Sequence, residues 1–196
     1  MSRTNDHPNL LDFDVAFNRF LVDRALRLSQ PEPLATARRP TRPAVYVLHY
    51  RGSEFLPYTQ LQGPIYVGSE TSARLNRLNE HCASLRAVEN LNLNSFYVQL
   101  LETTSPSVAL AAEAIAIEML DPLWNALGGF GAKPCGRHRK HHKASRFDSL
   151  HPGRMHNSQV EPHDVQELHA LIAAHLERAS ARERVTRLGD AESLRT

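Results

Sequence analysis

Cysteine is nearly missing from this chain of 196 residues: Cys82 and Cys135 are the two that occur. Two isolated thiols make no disulfide framework, so both are expected to be reduced. Long apolar runs are missing too. No stretch approaches the roughly 18 to 20 apolar residues that a membrane span needs, and the polar opening from Met1 to Leu10 has no apolar centre of the secretory kind. The expectation is a cytoplasmic protein with no membrane partner. Net charge is also small, +2 with histidine neutral, and by itself it favours no class of ligand. What the chain does have is 41% hydrophobic residues, enough at this length to bury one good core but hardly two.

Periodicity divides the chain into elements. From Asp12 to Leu28, Phe13, Phe17, Phe20, Leu21 and Leu28 recur at helical spacing, and Asp12 and Asp14 suit a helix start. Ser29 to Pro43 carries four of the twelve prolines. It is expected to be a stiff tether, with the first helix an arm, a lid or a cover for its own core. Ala44 to Tyr50 and Pro64 to Gly68 read as strands around a hairpin loop, and Ser95 to Leu101 reads as a third strand. Between them Leu75, Leu78, Cys82 and Leu85 make one apolar face of a helix over Ser72 to Leu85. Ser105 as N-cap and Pro106 at the first position open a helix that is apolar almost all round to Leu120, and it is therefore expected to be buried. Asp164 to Arg184 forms a last amphipathic helix, a packing or dimer element with Val165, Leu168, Leu171, Ile172 and Leu176 on one face; the tail after Gly189 is expected to be disordered. The fold class is α+β, a small central three-stranded antiparallel sheet flanked by helices, with helical extensions at both ends. The expected divisions are 1–42, 43–156 and 157–196.

Chemistry-bearing residues fall on these elements in a telling order. Tyr46 and Tyr66 lie on the first two strands. Arg74, Arg77 and His81 share about 60° of arc on the next helix, a positive ridge that Glu80 offsets in part. Such a ridge is either a solvated face or a dock for an anion. Glu113 then sits among Ala109, Leu110, Ala116, Ile117 and Leu120, where a carboxylate is costly unless it is paired, protonated or bound to a cation. A buried salt bridge and a metal ligand both satisfy that condition. Tyrosine, arginine, histidine and carboxylate on one compact layer suit the cleavage of a phosphodiester.

These residues carry a resemblance. The Val-Tyr strand, the Tyr-Val-Gly strand, Arg77-Leu-Asn-Glu-His81, Glu113 and Asp-Pro-Leu-Trp-Asn125 resemble the GIY-YIG nuclease superfamily. The Gly-Gly-Phe-Gly131 run and the decapeptide from Ser145 to Arg154 look like its branch of type II restriction endonucleases that cleave CCGCGG. The resemblance covers about Pro43 to Arg154. It implies a catalytic set of Tyr46, Tyr66, Arg77, His81, Glu113 and Asn125, with one Mg²⁺ (Mn²⁺ substituting) on Glu113. Tyr46 with His81 would activate water, Arg77 would neutralise the phosphate, and Asn125 would fix the cluster or the phosphate; as a reading of the residue alone, Asn125 is equally a hydrogen-bonding strut of the Trp124 corner. It also implies a bacterial cytoplasmic enzyme with a cognate DNA methyltransferase as functional partner. The chain departs from the pattern at Ser69, where relatives often carry lysine.

Between Lys133 and Arg154 seven basic residues face the single acid Asp148, a local excess of six positive charges. Lys133, Arg137, Arg139, Lys140, Lys143, Arg146 and Arg154, together with Arg74, are expected to bind duplex DNA, lysines at phosphates and arginines at guanine edges. A solvated basic loop is the plainer account. Cys135, His138 and His141 also offer a zinc set, but their spacing is too tight for the usual finger and the neighbouring arginines repel a cation. A twofold homodimer is expected, since its symmetry matches that of a palindrome.

Overall fold

A computed structural model describes residues 10–53, 56–72, 76–131, 144–154 and 161–193. In chain order the elements are α1 (Leu10–Leu28), β1 (Glu32–Pro33), β2 (Ala44–Tyr50), β3 (Gly63–Glu70), α2 (Arg77–Ala87), β4 (Phe96–Glu102), α3 (Pro106–Leu120), α4 (Leu123–Leu127), α5 (Arg146–Leu150) and α6 (Val165–Ser193). Among the described residues no helix is long and apolar enough to cross a membrane.

The sheet is antiparallel with strand order β1-β4-β2-β3. β2 is its spine: all seven of its residues are buried, because helices cover both faces. Side chains alternate along β2, so Tyr46 and Leu48 join the larger cluster with Leu78, Leu85, Trp124, Phe130 and Phe147, and the register shift beside Leu48 and His49, which leaves Ile65 without a partner in the ladder, brings Ile65 into the same cluster. Val45, Val47 and Val67 point the other way, toward Val22 of α1 and Ala116 of α3. Strand β3 lies at the sheet edge, which matters for the site below.

Four differences from the pattern-based expectations have physical causes. The proline segment is built into the sheet rather than left as a tether: Glu32 and Pro33 pair with Val98 and Tyr97, and the Leu34 side chain is fully buried. Arg39 then pins the segment to α2, donating to Asn79 Oδ1 at 2.7 Å and to the Leu34 and Ala37 carbonyls. Helix α2 begins at Arg77, not Ser72, because the buried Glu70 carboxylate accepts from the Ser72 N–H, the Ser72 hydroxyl and the Arg77 N–H, and so caps the helix from outside it. Helix α3 is not buried all round. Ala109 and Ala116 are fully covered by the sheet, while Leu110 is 53% exposed, since α1 shields only part of the outer surface. Finally, α6 runs through Gly189 to Ser193, as one glycine costs a helix only about 1 kcal/mol; its Leu168 and Ile172 pack on the chain's own core.

Candidate active site

Register brings the two tyrosines together. Tyr46 pairs with Gly68 and Leu48 with Tyr66 across the β2–β3 ladder, so both rings stand on one face with centroids 6.4 Å apart. Gly68 is required by that arrangement, because a Cβ there would come within 2.5 Å of the Tyr46 hydroxyl. Arg77 and His81, four residues apart, share a ridge of α2 that faces the rings. Tyr46 Oη and His81 Nε2 are hydrogen-bonded at 2.7 Å. Arg77 donates to Glu80 at 3.1 Å and to the Gly131 carbonyl.

Glu113 reaches the same place from the opposite face of the sheet. This is possible because β3 is an edge strand: α2 approaches on one side, α3 on the other, and the cleft wraps around the strand's end. Its walls include Tyr46, Tyr66, Ser69, Glu70, Arg77 and Glu113, and its volume is about 480 Å³. The Glu113 carboxylate is half-buried and accepts a 2.6 Å hydrogen bond from the Ser69 hydroxyl. Among the described residues no arginine or lysine pairs with it, so the alternative of a buried salt bridge has no partner there.

Burial sets the protonation states. The His81 imidazole is 2% exposed, and desolvation, then the charges of Arg77 and Arg154, push its pKa down to about 3. Desolvation pushes the Tyr46 phenol far above its ordinary value; Tyr66 and Glu113 add to this, and Arg77 opposes it. Tyr66 is raised in the same way. At neutral pH the pair is therefore a neutral phenol on a neutral imidazole.

Asn125 is placed differently from the rest. Its Oδ1 accepts from the Val67 N–H at 2.7 Å and its Nδ2 donates to the Val67 carbonyl at 2.8 Å. The amide acts as a one-residue strand that covers the open edge of β3 between Tyr66 and Gly68. This is a positioning role, the strut that the residue alone allowed, and it fixes the strand that carries Tyr66. Asn125→Ala leaves both backbone groups of a fully buried valine unpaired, which is expected to cost about 1–3 kcal/mol in urea denaturation. An undiminished midpoint would show that the strut carries no energy.

Arg154, expected at DNA, is 4% exposed and internal. Its guanidinium bonds Asp148 Oδ1 at 2.7 Å and the Phe130 and Gly129 carbonyls at 2.8 Å each. The charge belongs to a structural clamp, and the DNA-reading role is withdrawn. Arg146 is exposed on α5. Arg74, Lys133, Arg137, Arg139, Lys140 and Lys143, and likewise Cys135, His138 and His141, lie outside the described residues. Among the described residues no three metal-ligating side chains cluster.

The sequence model of the Eco29kI GIY-YIG domain matches residues 59–179, more than half of the chain. The chain belongs to that family. It is accordingly a GIY-YIG nuclease of restriction type, with an α+β fold of antiparallel sheet and flanking helices. Tyr66, Arg77, His81, Glu113 and Asn125 of the GIY-YIG domain fall inside the matched span. Tyr46 precedes it, yet its bond to His81 ties it to the same cluster. No curated protein matches the chain.

Sequence pattern missed three contributors to this GIY-YIG site. Glu70 orients the first turn of α2; its only signal was an acid at a strand end before a helix lacking its own cap. Phe130 stacks on His81, with centroids 4.7 Å apart and planes at 17°. Gly131, whose bare Cα lies against the Tyr66 hydroxyl, entered only as part of the Gly-Gly-Phe-Gly131 run; the repeated glycines flanking one phenylalanine were the available hint of close packing.

Proposed function

We propose that this chain is a type II restriction endonuclease that hydrolyses phosphodiesters of double-stranded DNA at a GC-rich palindrome of the CCGCGG kind, with one divalent cation per active site. The observation that carries the reading is the convergence of Tyr46, Tyr66, Arg77 and Glu113 on one cleft, with His81 directly behind Tyr46. Hydrolysis joins a water oxygen to phosphorus and breaks the bond to the 3′ oxygen. With the Tyr46 hydroxyl donating to His81 Nε2, its oxygen lone pairs face the cleft and accept from the attacking water; the water proton passes to Tyr46 as the phenol proton passes to His81. Burial holds both groups neutral in the free protein, and the phosphate anion entering the cleft favours the imidazolium that the relay forms. Arg77 neutralises charge developing on the phosphoryl oxygens.

Glu113 and the Ser69 hydroxyl offer hard oxygen donors of the type that Mg²⁺ and Mn²⁺ take while keeping several waters, so the residues fit such an ion, with Glu113 holding it. When bound, the ion supplies Lewis-acid stabilisation of the leaving 3′ oxygen. Arg74, Lys133, Arg137, Arg139, Lys140, Lys143 and Arg146 serve as contacts to duplex DNA. A homodimer cuts both strands of the palindrome, and a cognate methyltransferase protects the host sequence in the bacterial cytoplasm.

The test is a plasmid digest with Mg²⁺. Discrete fragments whose ends map to one palindrome are the expected product, and methylation of that palindrome blocks them. Nicking confined to branched DNA would replace this reading with a repair-type nuclease, and salt-sensitive binding without any cleavage would replace it with a non-catalytic DNA-binding protein.

A further inference from the structure

The decapeptide Ser145 to Arg154, which sequence alone leaves as part of a basic stretch, has no charge to spare for DNA in its buried half. The Ser145 hydroxyl caps α5, accepting from the Asp148 N–H at 3.0 Å and donating to Asp148 Oδ2 at 2.7 Å. Asp148 Oδ1 receives Arg154 Nε, and the guanidinium lies 4.9 Å from the Phe147 ring centroid. The two remaining guanidinium nitrogens hold consecutive carbonyls, those of Gly129 and Phe130. An arginine fork suits this task, because its donors are rigidly splayed. Gly129 sits at φ +100°, with its Cα against Ser145.

The peptide gripped in this way touches three residues of the site. Phe130 stacks flat on His81 and meets Tyr66 edge-on at 5.0 Å. The Gly131 carbonyl accepts from Arg77. The Gly131 Cα leaves room for the Tyr66 hydroxyl. The geometry points to Arg154, held by Asp148, as a positioning residue of the nuclease: by clamping residues 129–131 it sets the plane of the His81 ring, and so the aim of Nε2 at Tyr46, and it fixes the reach of Arg77. This rests on the cleavage chemistry proposed above, although the clamp itself can be read in protein without substrate.

Arg154→Lys keeps a cation beside Asp148 but replaces the splayed fork with a point charge. Phe130→Leu removes the stacked ring and leaves the ion pair intact, so it stays informative if the first variant folds poorly. Three measurements are made on each full-length variant: single-turnover cleavage at saturating plasmid DNA with Mg²⁺, DNA affinity with Ca²⁺ in place of Mg²⁺ at several salt concentrations, and the ring-proton NMR shifts of His81 in the free protein. Both variants are expected to cleave about 10²-fold more slowly, the loss typical of a catalytic group displaced by about 1 Å. DNA affinity and its salt dependence stay as in the parent, and the His81 ring protons move downfield as the shielding from Phe130 is lost. Weaker affinity with a shallower salt dependence would return Arg154 to the DNA interface and overturn the proposal. A lower melting temperature with unchanged rate and unchanged His81 shifts would reduce the clamp to stability alone, and would equally overturn it. If the parent protein cuts no DNA, the functional reading fails, while the His81 shifts still decide whether Arg154 sets that ring.

Discussion

Glu113→Gln is expected to lower metal-dependent cleavage by about 10³-fold or more, equivalent to about 4 kcal/mol of transition-state stabilisation, with little effect on folding. Glutamine has the same shape and still accepts the Ser69 hydroxyl, so the 2.6 Å contact that fixes the side chain survives. The helix that carries it is half-exposed, and the residue supports no ion pair among the described residues, so the core does not depend on its charge. What is lost is the anionic oxygen able to hold a divalent cation, and such an ion contributes several kcal/mol to a phosphoryl transition state. Single-turnover cleavage, calorimetric Mn²⁺ binding and thermal unfolding separate the possibilities. Cleavage near the parent rate with Mg²⁺ would remove Glu113 from the metal site, whereas loss of cleavage together with a large drop in melting temperature would make it a structural residue.

Acidification below pH 6.5 is expected to destabilise the protein steeply. His81 and His151 are almost fully buried, and burial is the main cause that pushes each pKa down to about 3. Arg77 and Arg154 add to the effect at His81; Arg154 adds to it at His151, against the opposing pull of Asp148. His151 is neutral for a visible reason: its Nδ1–H donates to Asn90 Oδ1 at 2.8 Å, and its Nε2 accepts from the Tyr58 hydroxyl at 2.9 Å, whose oxygen in turn accepts from Trp124 Nε1. In the unfolded chain both imidazoles titrate near 6.5. Between pH 6.5 and 3 the unfolded state therefore holds the extra protons. Stability is fully present above pH 6.5 and falls as pH drops, with a slope approaching about 2.7 kcal/mol per pH unit for two groups.

By pH 5 the loss reaches about 4 kcal/mol, a large share of a typical domain's stability. His49, lowered chiefly by burial as well, acts in the same direction. Urea midpoints at pH 7.5, 6 and 5 measure the slope, and His151→Gln is expected to make it shallower by the share of one group. A flat profile from pH 7.5 to 5 would mean that these imidazoles are not held neutral in the folded protein.

Much of the site could be read in the chain because its residue types recur in order on elements with clear periodicity. Tyr46, Tyr66, Arg77, His81 and Glu113 were each on the expected kind of element, and the cleft brings Tyr46, Tyr66, Arg77 and Glu113 to one place with His81 behind them. The errors share one origin. Arg154 was counted with a basic run because charge sums ignore burial, yet three short hydrogen bonds compensate its desolvation. Helix α2 was expected from Ser72 because Leu75 continued the apolar spacing, while it is the buried Glu70 carboxylate, accepting from the Arg77 N–H, that sets the start at Arg77, and burial cannot be read from spacing. Asn125 could be read in the chain either as part of the chemistry or as a strut, and the edge position of β3 shows the use its amide has.

Strand alternation, helix caps and motif order are short-range properties, and they sufficed to place β2, β3, β4, α1 and α3 to within a few residues, to find α2 and α6, and to recognise the family. Which charges are buried, which aromatic rings stack and which backbone groups need a side chain are set by contacts between residues dozens of positions apart. The approach of α2 and α3 from opposite faces of an edge strand belongs to this second class, as does the Arg154 grip on residues 129–131. Desolvation and hydrogen-bond geometry take their values from packing, so His81 became a neutral imidazole and Arg154 a clamp only once the sheet, the helices and residues 129–131 had closed around them.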